Sequence, residues 1–186
     1  MVIIRKRNKS VIFLGFGDSN RDFNKIGYDI WTCNDWYTFY PDLGPDLIFQ
    51  LHELTDDVIK RLNKQGRFLN WQEKYKQYKD RIYTKKDFDY CRAIKKFGTE
   101  FFRSTFSYMF YEAINMLYSE IVLIGADLLG DIEYRTQIHG MLRNIRVARN
   151  YGIKVIAPNE KIWRYYIEIY KENCSKDFVY GFSKKG

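Results

Sequence analysis

The stretch Val11-Ile12-Phe13-Leu14-Gly15-Phe16-Gly17-Asp18-Ser19 decides the fold of this chain. Its four apolar residues end at a glycine, a pattern typical of a short buried strand in a parallel sheet. The two glycines and the polar residues after them predict a tight turn that leads out of the strand. The run Ile121-Val122-Leu123-Ile124-Gly125 repeats the pattern later in the chain, so the sequence contains two strand-to-glycine units.

Strands and helices alternate on either side of these two units. Further strands are predicted over 28–34, 46–51 and 153–157, and helices over 54–78 (one or two), 107–118, 138–151 and 162–170; a short helix or turn is predicted over 20–26. Gly152 follows one of these helices as a C-cap glycine. This alternation predicts an α/β fold, a single Rossmann-like, doubly wound, mainly parallel sheet with helices on both faces.

The length of 186 residues predicts one domain over 1–186, with the charged segment 54–92 as a helical flap or excursion. No stretch approaches the roughly 18 apolar residues of a membrane span, and the N-terminal residues 1–7 are too short for a secretory segment. Three cysteines, odd in number and far apart, indicate neither a disulfide framework nor a zinc cluster. We therefore expect a cytoplasmic protein.

A net charge of +8 favours polyanionic partners, because Lys and Arg attract phosphates. Many of these cations fall between Lys60 and Lys96, where they are also typical of the solvated faces of helices. The charge and the 18% aromatic content are the only features that suggest an enzyme acting on nucleic acid. No RNA-binding or helix-turn-helix signature accompanies them, so nucleic acid is not the expected partner.

Polar residues that follow the predicted strands are the candidate binding residues, because ligands of doubly wound sheets bind beyond the carboxyl ends of the strands. They are Gly15, Gly17, Asp18, Ser19, Asn34 and Asp127. Glycines let a backbone approach a phosphate, although they also serve a simple tight turn. Asn34 can read a base or sugar edge, although an Asn after a strand is often only a turn former.

Two further positions complete the candidate set. Ser104 and Thr105 precede a predicted helix and offer either an anion or sugar site or an ordinary N-cap. His139 follows a polar loop and is a candidate general base, with a structural or solvent-facing histidine as the alternative.

Several common sites are absent from the sequence. Asn20 stands where a dinucleotide fingerprint has its third glycine, so NAD is not expected and no cofactor is predicted. His52 and Glu53 lack metal-ligand spacing with other histidines or cysteines, so no metal site is predicted. Neither a nucleophile elbow nor a Walker loop occurs.

The order of these motifs resembles that of the small, single-domain bacterial sialyltransferases, and of the uncharacterised and pterin-pyrophosphokinase-like proteins that share their Rossmann-like core. The matching segments are 11–19, 30–34, 103–127 and 139–159, about a third of the chain. The chain departs from the sialyltransferase pattern at Phe16 and Asp18, where Asn and Pro are usual, and just after the capping hydroxyl, where Gly is usual.

The resemblance implies a metal-independent glycosyltransferase with a nucleotide-activated donor. Gly15, Gly17 and Ser19 would line the nucleotide phosphate and ribose, Asn34 the nucleoside, and Ser104 and Thr105 the donor sugar; His139 would deprotonate the acceptor and Tyr134 would bind the departing phosphate. The sequence names neither the acceptor nor the oligomeric state. A nucleotide-binding module without turnover, such as a sensor or sequestering protein, is the alternative.

Overall fold

The centre of the computed structural model, which describes residues 9–17, 25–128, 135 and 137–170, is a six-stranded sheet. Its strands are β1 (Ser10–Leu14), β2 (Tyr28–Cys33), β3 (Leu47–Gln50), β4 (Ile82–Thr84), β5 (Glu120–Ile124) and β6 (Lys154–Ile156). The strand order is β4-β3-β2-β1-β5-β6, and every neighbouring pair is parallel. The predicted parallel α/β sheet is confirmed.

Helices cover both faces of this sheet. They are α1 (Trp36–Phe39), α2 (Asp56–Asn63), α3 (Trp71–Gln77), α4 (Tyr90–Phe97), α5 (Thr105–Asn115), α6 (Ile138–Asn150) and α7 (Glu160–Tyr170). On one face, Phe13 and Phe49 belong to a core shared with α4, α5, α6 and α7. On the other face, Ile48 packs with Trp36 of α1, and Trp71 of α3 lies against them.

The segment 54–92 contains more than the predicted helices. It supplies α2 and α3, and then β4, which pairs in register with β3 through Ile48 and Ile82. Three residues are too few to produce a readable strand pattern, so β4 was not predicted. Most of the predicted helix or turn over 20–26, namely 20–24, lies outside the described residues.

The strand order creates one point where the winding of the sheet reverses. From β1 the chain proceeds through β2 and β3 to the β4 edge, and it then returns to place β5 on the other side of β1. Ligands of open parallel sheets bind in the crevice outside the carboxyl ends of the two strands at such a reversal. The residues that follow β1 and β5 are therefore the candidate ligand-binding residues.

In the part of the chain that the structure describes, no helix is long and apolar enough to cross a bilayer.

Glu112 of α5 provides a test of the packing against the β4 edge. The Tyr83 hydroxyl donates to Glu112 Oε1 at 2.7 Å, and burial raises the pKa of this carboxyl, with Tyr83 and Arg92 opposing. A raised folded-state pKa means that the stability from this group is present at low pH and is lost as pH rises through that pKa. We expect Glu112→Gln to be more stable than the wild type at neutral pH and to show a smaller fall in stability between pH 4.5 and 7.

Urea unfolding of both proteins across that range measures this difference. Glu73→Gln, at an exposed position of α3, is the matched control and should leave the pH dependence unchanged. A Glu112→Gln curve parallel to that of the wild type would contradict the assignment.

Candidate functional site

The turn after β1 packs directly on the turn after β5. The Gly15 N–H donates to the Ile124 carbonyl and the Gly17 N–H to the Gly125 carbonyl, both at 2.8 Å. A Cβ atom at Gly15 would lie 2.4 Å from the Gly125 carbonyl oxygen. The glycines are thus required by the close approach of two backbones, as in the tight-turn alternative. Their own amides are engaged in these bonds and are not the donors that would hold a phosphate.

Asp127 lies beside Gly17 at this reversal point. A Cβ atom at Gly17 would lie 2.4 Å from the Asp127 carboxyl carbon. The Asn159 side chain donates to Asp127 Oδ1 at 3.1 Å, and the Trp163 indole N–H donates to the Asp127 carbonyl at 2.9 Å. Residues that follow β6 and begin α7 therefore hold Asp127 in place at the crevice.

Substitution of Gly15 tests the packing of the two turns. We expect Gly15→Ala to lower the free energy of unfolding by about 1–3 kcal/mol, because the new methyl group meets a backbone oxygen that cannot rotate away. Gly44→Ala is the matched control, since a Cβ there meets only the Tyr78 hydroxyl at 3.8 Å. Denaturant unfolding measures both variants, and equal stabilities would refute the packing argument.

Phe39 of α1 and Tyr40, the next residue, fix the other side of the β1 turn. The Tyr40 hydroxyl donates to the Gly15 carbonyl at 2.9 Å, and Phe16 stacks on Phe39 with 4.5 Å between ring centroids. An open cleft of about 560 Å³ lies beside this pair; Lys25, Ile26, Phe39, Tyr40, Pro41, Asp42 and Leu43 line it. None of the described candidate residues belongs to that lining.

Asn34 follows β2 in the left-handed conformation, with φ of 47°. Asn tolerates this region better than most residues, which agrees with the turn-forming alternative. Its N–H donates to the Phe49 carbonyl and its carbonyl accepts from the Tyr75 hydroxyl, both at 3.2 Å. Its Oδ1 is buried and has no hydrogen-bond partner among the described residues. A buried acceptor without a partner costs about 1–3 kcal/mol, so this oxygen is a place where a ligand N–H or O–H would stabilise the complex.

A polar network surrounds Asn34 at the ends of β2 and β3. The single Tyr75 hydroxyl proton is shared with Gln50 Oε1, the nearer acceptor at 2.5 Å, and the Gln50 amide donates to the His52 carbonyl at 2.8 Å. Burial raises the pKa of the Tyr75 phenol far above its ordinary value, so it stays protonated. α3 is thereby tied to the carboxyl ends of two central strands.

The start of α5 holds Ser104 and Thr105 in the interior. Ser104 is the N-cap residue of α5, which agrees with the N-cap alternative. Ser104 is only 1% exposed and Thr105 only 6%. Ser107 Oγ accepts from the backbone N–H groups of Arg103 and Ser104, at 3.1 and 3.2 Å, and contacts the Asn144 side-chain amide at 2.8 Å. α6 therefore helps to fix the backbone on which Ser104 stands.

Two close contacts connect the start of α6 with the start of α5, and the start of α5 with the β1 turn. A Cβ atom at Gly140 would lie 2.4 Å from Arg103 Cβ, and a Cβ atom at Gly15 would lie 3.0 Å from Phe106 Cζ. The helix starts that carry Ser104 and His139 thus meet, and Phe106 of α5 reaches the end of β1. Arg103, only 6% exposed, is a polar residue of this region that the sequence analysis missed, because only the three-dimensional contact with Gly140 reveals it.

His139, in the first turn of α6, is half-buried. Its Nε2 is buried and has no hydrogen-bond partner within the described ranges. Three other predicted residues, Asp18, Ser19 and Tyr134, lie outside those ranges. Among the residues that the structure does describe, no group of three His, Cys, Asp or Glu side chains could hold a metal ion.

Among known proteins, one solved structure matches this chain. No protein-family model matches the chain, and no curated protein matches it. The chain is similar to the sialyltransferase CstII from Campylobacter jejuni, solved in complex with the substrate analogue cytidine-5'-monophosphate. The identity is 17% and the TM-score 0.45, over 84% of this chain and 83% of that chain. At this identity, no residue role carries over from that enzyme to this chain.

Proposed function

We propose that this protein is a sialyltransferase-like, metal-independent glycosyltransferase. It binds a nucleotide-activated sugar beyond the carboxyl ends of the strands, and His139 is the general base that activates the acceptor. Three features support this proposal: the reversal of strand order between β1 and β5, the polar residues that follow these strands, and the meeting of α5 and α6 beside them.

The observation that carries the proposal is the ring nitrogen Nε2 of His139, which has no hydrogen-bond partner among the described residues. A general base needs a nitrogen lone pair that no other group occupies, within reach of the hydroxyl it deprotonates. His139 Nε2 is buried without a partner in the described part of the chain, and the next residue, Gly140, packs on Arg103. A structural histidine in the interior would normally have its ring nitrogens paired.

The donor binds beyond the carboxyl ends of β1 and β5, against the two turns that pack on each other there. The turn at Gly15 and Gly17 forms one wall of this site, with Ser19 as a contact for the phosphate and ribose and Asp18 as a contact for a ribose hydroxyl. Because the Gly15 and Gly17 amides bond to the β5 turn, the phosphate depends on hydroxyl donors rather than on these amides. Asp127 lines the crevice, and Asn34 Oδ1 accepts from the nucleoside.

Transfer proceeds in a single displacement. The acceptor oxygen attacks the anomeric carbon while His139 Nε2 takes its proton, and the bond from that carbon to the phosphate oxygen breaks. The nucleotide leaves with the bonding electron pair. Tyr134 stabilises the departing phosphate and Ser104 and Thr105 hold the sugar, so hydroxyl groups supply the stabilisation that a metal provides in other enzymes.

The test is turnover of nucleotide-sugars by the full chain. A thermal-shift screen of nucleoside monophosphates, diphosphates and nucleotide-sugars first identifies the donor, since a ligand of the native state raises the melting temperature. The selected donor is then incubated with and without EDTA, and release of free nucleotide is measured. We expect release at the same rate in both. Binding without release over hours would instead support the sequestering module, and loss of release in EDTA would contradict the metal-independent mechanism.

A further inference from the structure

A buried polar network joins α6 to the start of α5, and Asn144 lies at its centre. Asn144 is fully buried, as is Ser107. One side-chain atom of Asn144 lies 2.8 Å from the Phe101 carbonyl oxygen and 3.1 Å from that of Gly140. Carbonyl oxygens only accept hydrogen bonds, so this atom belongs to the NH2 group and donates to both. The amide oxygen of Asn144 is then left to accept from the Ser107 hydroxyl at 2.8 Å.

The Ser107 hydroxyl uses its full hydrogen-bonding capacity in this network. Its oxygen accepts from the backbone N–H groups of Arg103 and Ser104, at 3.1 and 3.2 Å, and its proton goes to Asn144. A hydroxyl has one proton and two lone pairs, so nothing remains for a further partner. Ser104 Oγ lies 3.5 Å from Ser107 Oγ, which is too long for a strong hydrogen bond. The network therefore does not consume the Ser104 hydroxyl, whose proton is available to a ligand.

The network fixes the starts of the two helices relative to each other. His139 directly precedes Gly140, whose carbonyl accepts from Asn144. Ser104 carries one of the two N–H groups that donate to Ser107. A buried network whose members are all satisfied is rigid, because a shift of one member breaks the bonds of the others. The backbones of His139 and Ser104 thus belong to one rigid unit, although they lie on different helices.

We propose that Asn144 and Ser107 are positioning residues for sugar transfer. They hold the His139 backbone at a set distance from Ser104, and they leave the Ser104 hydroxyl to donate to an oxygen of the donor sugar. A displacement of about 1 Å between reacting groups lowers a rate about a hundredfold, so this spacing affects the transition state more than binding. The inference rests on the proposed function, in which His139 takes the acceptor proton and Ser104 holds the sugar.

Amide hydrogen exchange, followed by nuclear magnetic resonance, tests the network without any substrate. N–H groups at the N-cap of a helix and just before it have no partner within the helix, so their protection depends on Ser107. We expect the Arg103 and Ser104 amides to exchange slowly in the wild type and about tenfold faster or more in Ser107→Ala. Unprotected amides in the wild type, or equal rates in the two proteins, would overturn the inference whether or not the protein is an enzyme.

Steady-state kinetics with the donor selected by the thermal-shift screen separates positioning from binding. Asn144→Ala should lower kcat about tenfold or more and leave KM for the donor within about twofold of the wild-type value. Ser104→Ala should instead raise that KM about tenfold, because it removes the sugar contact and leaves the network intact.

Tyr118→Phe is the matched control for a loss of stability alone. It removes the hydrogen bond from a buried tyrosine to Asp29, at the amino ends of the strands and away from the site. This variant should unfold more easily than the wild type and keep its kcat. A destabilised Asn144→Ala that also kept the wild-type kcat would overturn the positioning role alone, whereas a wild type without turnover would overturn the proposed function itself.

Discussion

Replacement of His139 by alanine is expected to lower the rate of sugar transfer or donor hydrolysis by about 10²–10⁴-fold, the usual contribution of a general base. The ring nitrogen that would take the acceptor proton is the buried, unpartnered Nε2. Because that atom forms no hydrogen bond within the described residues, its removal should cost the fold little. Donor affinity should persist, since the nucleotide contacts that we propose are made by other residues.

Two measurements separate catalysis from structure in this variant. Initial rates give kcat and KM for the donor, and thermal unfolding with and without donor gives stability and binding. Arg146→Ala, at an exposed position on the same helix, is the control for general effects on α6 and should retain full activity. If His139→Ala turned over the donor at the wild-type rate, His139 would have no part in the mechanism.

Partial rescue would strengthen the assignment. His139→Gln keeps a polar side chain of similar reach but cannot take up a proton at neutral pH, so it should be as inactive as alanine. Added imidazole should restore some activity to His139→Ala if the vacated space admits it. A glutamine variant with normal activity would indicate that His139 only fills space or donates a hydrogen bond.

The strands and helices that define this fold could be read from the chain because each is a local pattern. The run 11–14 predicted β1, and its repeat at 121–124 predicted β5, each within one residue of its bounds. β4 could not be predicted, because three residues between charged segments have no period and become a strand only by pairing with β3.

The candidate site likewise contains some residues that the sequence predicts and others that it does not. Residues at strand ends, such as Asn34 and Asp127, were predictable because topology places strand ends on one edge of the sheet. The use of the Gly15 and Gly17 amides was not, since it depends on a turn more than a hundred residues away. Arg103 was missed for the same reason, because only its three-dimensional contact with Gly140 identifies it.

The pair formed by Asp35 and Arg67 yields the second large prediction, on stability. Asp35 is fully buried, and Arg67 binds it through two bonds, Nε to Oδ2 at 3.0 Å and Nη2 to Oδ1 at 2.5 Å. Removal of one partner of a buried pair costs about 3–5 kcal/mol, because it leaves the other charge without compensation. Arg67 is one-third exposed, so water recovers part of that loss. We therefore expect Asp35→Asn to lower the free energy of unfolding by about 3 kcal/mol.

A double-mutant cycle isolates the pair from other effects of the substitution. Asp35→Asn, Arg67→Gln and the double variant are unfolded in urea, and a coupling free energy of about 1 kcal/mol or more is expected, since the two side chains touch. Arg164→Gln is the comparison variant, because it breaks the exposed contact between Arg164 and Glu160. It should lower the free energy of unfolding by at most about 1 kcal/mol. The two single variants remove charges of opposite sign, so an effect of net charge alone would act on them in opposite directions. If Asp35→Asn lowered the free energy of unfolding no more than Arg164→Gln does, the ion pair would not stabilise the contact between the segment that carries Arg67 and the end of β2.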